Sequence, residues 1–399
     1  MKNLSSDRLG SFSFLMLAAL LQPVLSPSLV WAKPKMLVIY NSRNGLNVTA
    51  KYAQEGIRVA LASMTQKERE QFPSIITVDI DDNSAIAAQQ IGKMIEEHQP
   101  VAMLGAIRSD HALVVSDFAE SRKIPFLTPL ATNPKVTDGK SYTFRTCFDD
   151  RQQAELLASF IKNEKNRKRI AVLFNRSQAF SLGFADAFRA SVRKSSPLGE
   201  TQVTLVKGYA KTEEIDDEFI RELKSNRVDA VVIPAYQVEA AHLLGRLSPA
   251  LDSSVMFFGP DSWGGGQIFH AALNPRGQSS FRAYYVEHWA RESKALRTQK
   301  FLQDFERFPP AEVALRSKST SDLGPVVAFY ELIQFFQSAW SNQATDPLVS
   351  RIRKQSWNGP RGQISFLMGP TPDKPLYIFG IGTNREEFLG TYGAGGMQK

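Results

Sequence analysis

The sequence predicts an α/β protein with two doubly wound parallel-sheet lobes, joined by a multi-strand hinge and separated by a cleft. Short β-branched runs alternate with helix-length segments from Lys35 onward. This alternation is typical of βαβ units, whose parallel sheets are covered on both faces. The alternation breaks near residues 144–153 and then restarts, which indicates two successive sheets. A length of 399 residues is enough for two hydrophobic cores.

The first 32 residues have the layout of a secretory signal peptide. Basic residues precede an apolar run over residues 12–21, and Val-Trp-Ala at residues 30–32 offers a cleavage site. The apolar run is too short for a membrane span, and two prolines follow it. We therefore expect a periplasmic protein that begins at Lys33; a retained N-terminal anchor is the alternative.

Charge and cysteine content argue against several classes of protein. The 48 basic and 40 acidic residues give a formal net charge of +8, but they are interspersed without a long Lys/Arg tract. We therefore expect no nucleic-acid partner. Cys147 is the only cysteine, so no intramolecular disulfide can form. We interpret Cys147 as a small buried hydrophobic residue.

The first half of the mature chain predicts four strands separated by helices. The strands are expected at residues 35–41, 75–79, 101–104 and 124–127. A helix is expected over residues 48–64, and a second one begins after Asp82 or Asn83, either of which could cap it. Pro100 lies beyond the end of that second helix.

The second half repeats the pattern and then adds long helices and a β-rich end. Four strands are expected at residues 169–174, 202–208, 228–234 and 255–259; helices at 296–308 and 323–340; and β-structure at 361–367 and 374–382. We accordingly divide the mature chain into lobe I (33–149), lobe II (150–284), a return to lobe I (285–347), and lobe II with C-terminal strands (348–399).

Five strand ends carry polar or aromatic residues. In open α/β sheets ligands bind beyond the carboxyl ends of the strands, and two facing lobes would bring such ends around one cleft. The residues concerned are Ser109, Thr132, Phe180, Tyr236 and Asp261. Each has a structural alternative: a helix cap for Ser109, a turn former for Thr132, a cap or turn former for Asp261, and packing for the two aromatic residues.

Enzyme signatures are missing from the sequence. There is no phosphate-binding glycine loop and no nucleophile elbow. The five histidines are scattered, without metal-ligand spacing. His111 lies beside Ser109 and Asp110, but adjacent residues on one turn cannot easily face one another as a catalytic triad. We expect no catalytic residue, no metal site and no cofactor.

Three long stretches carry a resemblance to a known family. They are residues 78–109 with Gly-x-x-x-Ser, residues 123–153 with a Pro-x-Ala-Thr turn and a Phe-Arg…Asp…Gln crossover, and residues 357–382. In their order and spacing they resemble the type I periplasmic binding proteins of branched-chain amino-acid ABC importers, the leucine/isoleucine/valine-binding group. The resemblance covers nearly all of the mature chain.

The resemblance implies a set of ligand-binding residues. The ligand's α-carboxylate would be held by Ser109, Ala131 and Thr132. Its α-ammonium would be received by Asp261, and the second lobe would be lined by Phe180 and Tyr236. The chain departs from the family where Phe180 replaces the usual tyrosine, and where Arg43 and Arg108 occupy two strand-end loops. An arginine there would favour a second carboxylate on the ligand; the alternative for Arg43 is a solvated loop residue.

The resemblance also implies a function. We expect a monomeric periplasmic solute-binding protein that captures an amino acid or related small carboxylate and delivers it to an ABC permease in the inner membrane. The alternative is a ligand-sensing or regulatory periplasmic protein of the same fold, without a role in transport. The genes adjacent to the protein's own would distinguish the two functions.

Overall fold

The computed structural model describes residues 32–43, 47–264, 269, 272, 282–309, 320–341, 345–381, 386–393 and 395–398. The leader expected over residues 1–32 lies outside the described residues apart from Ala32. Within the described part of the chain, no helix has both the length and the apolar character needed to span a membrane.

Two main sheets and a hairpin contain the strands. The strands are β1 Lys35–Tyr40, β2 Ser74–Asp79, β3 Ala102–Gly105, β4 Phe126–Thr128, β5 Thr143–Arg145, β6 Arg169–Asn175, β7 Gln202–Tyr209, β8 Ala230–Val232, β9 Met256–Gly259, β10 Ala283–Glu287, β11 Ser356–Gly359, β12 Gly362–Ser365, β13 Leu376–Ile381, β14 Glu386–Gly393 and β15 Gly396–Gln398. The expected strands are confirmed, and five further strands, β5, β10, β11, β14 and β15, were not among them.

The helices alternate with the strands in the first two thirds of the chain. They are α1 Asn47–Ser63, α2 Gln66–Gln71, α3 Ser84–His98, α4 Ser109–Arg122, α5 Asp150–Asn163, α6 Ala179–Ser195, α7 Asp217–Ser225, α8 Gln237–Ala250, α9 Leu296–Arg307, α10 Thr320–Ser341 and α11 Leu348–Lys354. The cap of α3 is Asn83, whose side chain accepts the N–H groups of Ala85 and Ile86.

Lobe I is built on a parallel sheet with the order β2-β1-β3-β4-β5. Separate apolar clusters cover its two faces, one with α1 and α10 and the other with α3 and α4. The backbones of α1 and α10 approach so closely that a side chain at Gly56 would collide with the carbonyl of Val326. Only glycine fits there, so this contact fixes the long return helix on the lobe.

Lobe II is built on a sheet with the order β15-β14-β13-β10-β9-β8-β6-β7. The strands from β6 to β10 are parallel, and β13 to β15 run antiparallel at one edge. The carboxyl ends of β6, β8 and β9 therefore open at one edge of the sheet, where a ligand of such a fold binds.

In the structure, the chain passes from one lobe to the other at positions that differ from the expected boundaries at 284/285 and 347/348. Strand β10 spans the first of these boundaries and pairs within the sheet of lobe II. Helix α11 and the β11–β12 hairpin contribute Ile352, Ile364 and Phe366 to the core of lobe I. The lobe I return thus extends to about Phe366, because an apolar run identifies an element but not the sheet against which it packs.

A buried ionic cluster connects the segments that cross between the lobes. The backbone N–H and Nε of Arg361 donate to the Glu331 carboxylate, and its other nitrogens donate to Pro129 O and Thr146 Oγ1. Lys374 Nζ donates to Glu331 Oε1 at 3.1 Å. Burial lowers the pKa of Lys374 to about 8, against the opposing effect of Glu331. Removing one member would leave buried charge uncompensated, so the cluster holds these segments together.

Candidate functional site

A cavity of about 760 Å³ lies at the carboxyl ends of both sheets. Five of the residues selected from the sequence line it: Ser109, Thr132, Phe180, Tyr236 and Asp261. The first two follow strands of lobe I, and the other three follow strands of lobe II. A cavity of this size and mixed polarity fits a small molecule.

The hydroxyl of Ser109 contributes to the lobe I wall, but it does not cap a helix. Ser109 is the first residue of α4; Arg108 is the N-cap and makes no capping bond with its side chain. Instead, Ser109 Oγ accepts the backbone N–H of Asn133 at 3.2 Å, which ties α4 to the turn after β4. The cap expected as an alternative is therefore wrong, because the hydroxyl is used by a turn 24 residues away. Its O–H can still donate to a ligand oxygen.

The turn after β4 is held from behind by a buried arginine. Arg145 donates to the carbonyls of Ala131 and Asn133 at 2.7 and 2.8 Å, and to Thr137 Oγ1. The N–H of Ala131 donates to Thr128 Oγ1. Both backbone groups of Ala131 are thus engaged within the turn, and Ala131 is not among the residues that line the cavity. The rigid turn presents its threonine, at position 132, to the cleft.

Cys147 lies behind the same turn. Its Sγ is 3.8 Å from the carbonyl of Ala131, and the side chain is completely buried. Burial raises the pKa of the Cys147 thiol to about 11, with Arg145 opposing the shift. Cys147 is therefore a protonated packing residue, as the sequence indicated.

The lobe II wall begins with two aromatic rings. Phe180 lies in the first turn of α6, Tyr236 is the N-cap residue of α8, and their ring centroids are 5.7 Å apart. The guanidinium of Arg108, from lobe I, lies 4.6 Å from the centroid of the Tyr236 ring. These rings exclude water from one side of the cleft, and the face of the Tyr236 ring contacts the Arg108 guanidinium.

The carboxylate of Asp261 is oriented by residues from two distant segments. Gln153 Nε2 donates to Oδ1 and His288 Nε2 lies beside Oδ2, both at 2.9 Å. Gln153 also accepts the backbone N–H of Asp261 at 2.6 Å. His288 stacks on Phe148 at 4.1 Å between ring centroids.

His288 acts on Asp261 as a neutral hydrogen-bond donor. Burial lowers the pKa of His288, although the hydrogen bond to Asp261 opposes this shift. A neutral His288 that donates from Nε2 orients the carboxylate without neutralising it. The resulting site is a fixed carboxylate with a 10% exposed side chain, which suits an ammonium group.

A second carboxyl group, Asp150, lies close to this site. It is fully buried, and neither of its oxygens has a hydrogen-bond partner of standard geometry in the described structure. Burial and the nearby charge of Asp261 raise the pKa of Asp150 well above its usual value, whereas the Thr132 hydroxyl lowers it. Burial and the charge of Asp261 thus both oppose ionisation of Asp150.

Direct hydrogen bonds hold the two walls together. Asp110 Oδ1 accepts the backbone N–H of Ala179 at 3.1 Å, and Asn133 Nδ2 donates to the Ala179 carbonyl at 2.7 Å. Gly183, one turn further along α6, leaves room for Asn133: a Cβ at this position would lie 2.8 Å from Asn133 Nδ2. The start of α4 and the turn after β4 therefore provide both a cleft wall and contacts to the opposite lobe.

Two residues weighed in the sequence lie away from the cavity. The guanidinium of Arg43 forms an ion pair with Asp81, its side chain is 53% exposed, and it is not among the lining residues. His111 is buried and faces Asp82 Oδ1 at 4.0 Å, so it forms no triad with Ser109. Within the described residues, no group of three or more His, Cys, Asp or Glu side chains could hold a metal ion.

Sequence reasoning did not select Gln153, His288, Asp110 or Asn133 as site residues. Gln153 is 108 residues from Asp261, and no local pattern pairs them. His288 directly follows β10, and the apolar segment Ala-Tyr-Tyr-Val at 283–286 was a signal for that strand. Recognition of the strand would have placed His288 at a carboxyl end with the other candidates.

Comparison with known proteins identifies the family. The profile described as "Periplasmic binding protein" matches residues 74–385. The chain belongs to this family. Leu/Ile/Val-binding protein homolog 3 of Brucella melitensis is 32% identical over 152 residues, which are 37% of this chain and 39% of that relative. Leucine-specific-binding protein of Salmonella typhimurium is 24% identical over 222 residues, or 54% and 58%. The chain thus spans less than two thirds of the length of these matched relatives.

Solved structures extend the likeness over almost the whole described fold. Leucine-binding protein LivK of Thermotoga maritima has a TM-score of 0.77 at 21% identity, over 91% of this chain and 99% of that one. LivJ of Streptococcus pneumoniae, solved with isoleucine, has a TM-score of 0.74 at 17% identity, over 90% and 99%. The expected type I periplasmic binding protein fold is confirmed. The family and its relatives are binding proteins rather than enzymes, as the sequence indicated.

Proposed function

We propose that this protein is a periplasmic solute-binding protein that captures an amino acid or a related small carboxylate between its lobes. The arrangement that carries the proposal is the oriented Asp261 carboxylate, which lines the same cavity as Ser109 at the start of α4 and Thr132 in the turn after β4. A carboxylate on one wall and hydroxyl donors on the other match the two charged ends of an amino acid.

The ligand's carboxylate would lie against lobe I. Ser109 donates its O–H there, Thr132 adds a second hydroxyl, and the first turn of α4 contributes its partial positive charge. The ligand's ammonium would lie against Asp261. Phe180 and Tyr236 contribute apolar surface to the side chain of the ligand, and Phe180 has no hydroxyl to offer.

Delivery to an ABC permease in the inner membrane is part of the proposal. It is supported by relatives named as amino-acid-binding proteins and by the likeness to LivJ, a branched-chain amino acid transporter substrate binding protein. The leader over residues 1–32 would bring the protein to the periplasm, so N-terminal sequencing of protein isolated from there is expected to begin at Lys33. Loss of solute uptake on gene deletion would support delivery, whereas unchanged uptake would favour a sensing role.

A thermal-shift screen tests the binding function. Protein purified from the periplasm, freed of carried-over solute by unfolding and refolding, is screened against amino acids, amides and small organic acids. A ligand present at 100 times its Kd stabilises the folded state by about 2.7 kcal/mol. Calorimetry would then give the affinity of each hit. Absence of a shift with every compound would contradict the proposal.

A further inference from the structure

Arg108 is the one arginine or lysine among the described residues that line the cavity. It occupies the N-cap position of α4, directly before Ser109. Its side chain is 19% exposed, so the guanidinium lies largely inside the cleft. A cation in this place needs anionic or hydrogen-bonding partners, because its removal from water is costly.

The carboxylates that line the cavity have other donors. Asp261 is held by Gln153 and His288. Glu239 accepts from Asn175 and Gln178 at 2.7 and 2.9 Å. The third lining carboxylate, at position 287, accepts the N–H of the next residue at 3.3 Å. None of these bonds involves Arg108.

The carboxylates nearer to Arg108 compensate the charge of its guanidinium only in part. Asp110 Oδ2 is 3.8 Å from its Nη2, beyond hydrogen-bonding distance, and Asp110 Oδ1 accepts the N–H of Ala179. Asp82 attracts the guanidinium at longer range. Arg108 Nε is buried and has no hydrogen-bond partner in the described structure. A guanidinium has five N–H donors, and beyond its hydrogen bond to Tyr236 part of this capacity is left for a ligand.

Tyr236 fixes the position of this cation. The guanidinium carbon lies 4.6 Å from the ring centroid, which is the geometry of a cation–π contact. Such a contact uses the face of the guanidinium and leaves donors at its edge. The charge is thus held between the lobes, next to the hydroxyl of Ser109.

We propose that Arg108 makes the cleft selective for ligands with a second anionic group in addition to the α-carboxylate. The chemical class is that of dicarboxylic amino acids and related small diacids. The inference rests on the proposed function, because it assumes that Ser109 and Asp261 already bind the two ends of an amino acid. A neutral ligand of equal size would leave the guanidinium with only the long ion pair to Asp110 and the more distant charge of Asp82.

Calorimetry with matched ligand pairs tests the inference. L-glutamate and L-glutamine, and L-aspartate and L-asparagine, differ only in the side-chain carboxylate. We expect the wild-type protein to bind one acidic amino acid at least about tenfold more tightly than its amide, as a charged hydrogen bond implies. Arg108→Gln should weaken binding of that acid by about 10- to 100-fold and bring the ratio near unity. Arg108→Lys, which keeps the charge but not the planar fork, should retain part of the preference.

Arg176→Gln is the matched control. Arg176 forms an exposed ion pair with Glu214 and does not line the cavity, so the acid-to-amide ratio should be unchanged. Melting of the ligand-free variants shows whether Arg108→Gln has damaged the fold; if it has, the ratio in Arg108→Lys decides. An equal affinity for acid and amide in the wild type, or an unchanged ratio in the Arg108 variants, would overturn the inference.

The two proposals fail in different ways. If the protein binds leucine or another neutral amino acid but none of the four test compounds, the selectivity assigned to Arg108 is wrong and the solute-binding function stands. If no amino acid or small acid binds at all, both proposals are wrong.

Discussion

The lobe I wall of the cleft presents a hydroxyl and a turn that are joined over 24 residues, whereas the lobe II wall presents a carboxylate that is oriented in part from 108 residues away. On lobe I, Ser109 bonds to the turn at Thr132, 24 residues further along the chain, and Arg145 braces that turn from β5. On lobe II, Asp261 depends on Gln153 and on His288. The comparison teaches that the proposed carboxylate site depends on contacts over a few tens of residues, whereas the proposed ammonium site also needs a contact over 108 residues.

The largest effect on ligand affinity is expected from substitution of Asp261. Asp261→Asn should weaken binding of an amino-acid ligand by at least about 2–5 kcal/mol, because the ligand's ammonium would lose its buried carboxylate partner. Calorimetry checks this. Asp261→Glu keeps the charge and should bind measurably, while Asp217→Asn, at a carboxylate with 83% exposure, should bind like the wild type. Unchanged affinity in Asp261→Asn would show that Asp261 does not bind the ammonium group of the ligand.

The next largest loss of ligand affinity is expected at Gly183, where the two walls are in contact. Gly183→Ala would place a methyl group 2.8 Å from Asn133 Nδ2, so the Asn133 amide would have to shift and its bond to the Ala179 carbonyl would weaken. We expect binding to weaken by about 1–3 kcal/mol, the usual range for overpacking. Alanine is the better helix former by roughly 1 kcal/mol, so unfolding of the ligand-free protein should not become easier if that state is open.

Small-angle scattering with and without ligand would measure closure in this variant. Gly245→Ala, in α8, is the control: its Cβ would lie 3.9 Å from Ala272, an ordinary contact, and the helix-propensity gain is the same. Full closure and unchanged affinity in Gly183→Ala would show that the Asn133 contact is not needed for binding.

A smaller loss of ligand affinity is expected from substitutions on the lobe I wall. Ser109→Ala and Thr132→Val should each weaken binding by about 1–3 kcal/mol, because a charged ligand group loses a hydrogen bond. Ser109→Ala also leaves the Asn133 N–H without its acceptor, so the melting temperature should fall slightly. Ser116→Ala, in the same helix but outside the cavity, is the control for calorimetry. A drop in melting temperature with unchanged affinity would assign both hydroxyls to the fold alone.

The smallest effect is expected at Arg43. Its ion pair with Asp81 is solvent-exposed, and such pairs contribute about 0–1 kcal/mol to stability. Arg43→Ala should therefore leave both the affinity and the acid-to-amide preference unchanged in calorimetry, unlike substitutions of Arg108. A clear change in that preference would show that Arg43 acts on the ligand, and it would weaken the role assigned to Arg108.

The sequence by itself determined the parts of this protein that depend on neighbouring residues. Apolar periodicity located most strands and helices, and strand-end chemistry selected Ser109, Thr132, Phe180, Tyr236 and Asp261, which line one cavity. Such patterns can be read locally, because strand period, helix caps and turns arise from interactions over a few residues.

The tertiary structure alone decided which partners these residues have. It placed Arg108 in the cleft and Arg43 outside it, although both follow strands of the same sheet. It also brought His288 to Asp261, and joined β10 to the sheet of lobe II. The physical reason is that contacts between segments far apart in sequence are set by packing and hydrogen bonding across the whole fold, which no local pattern records.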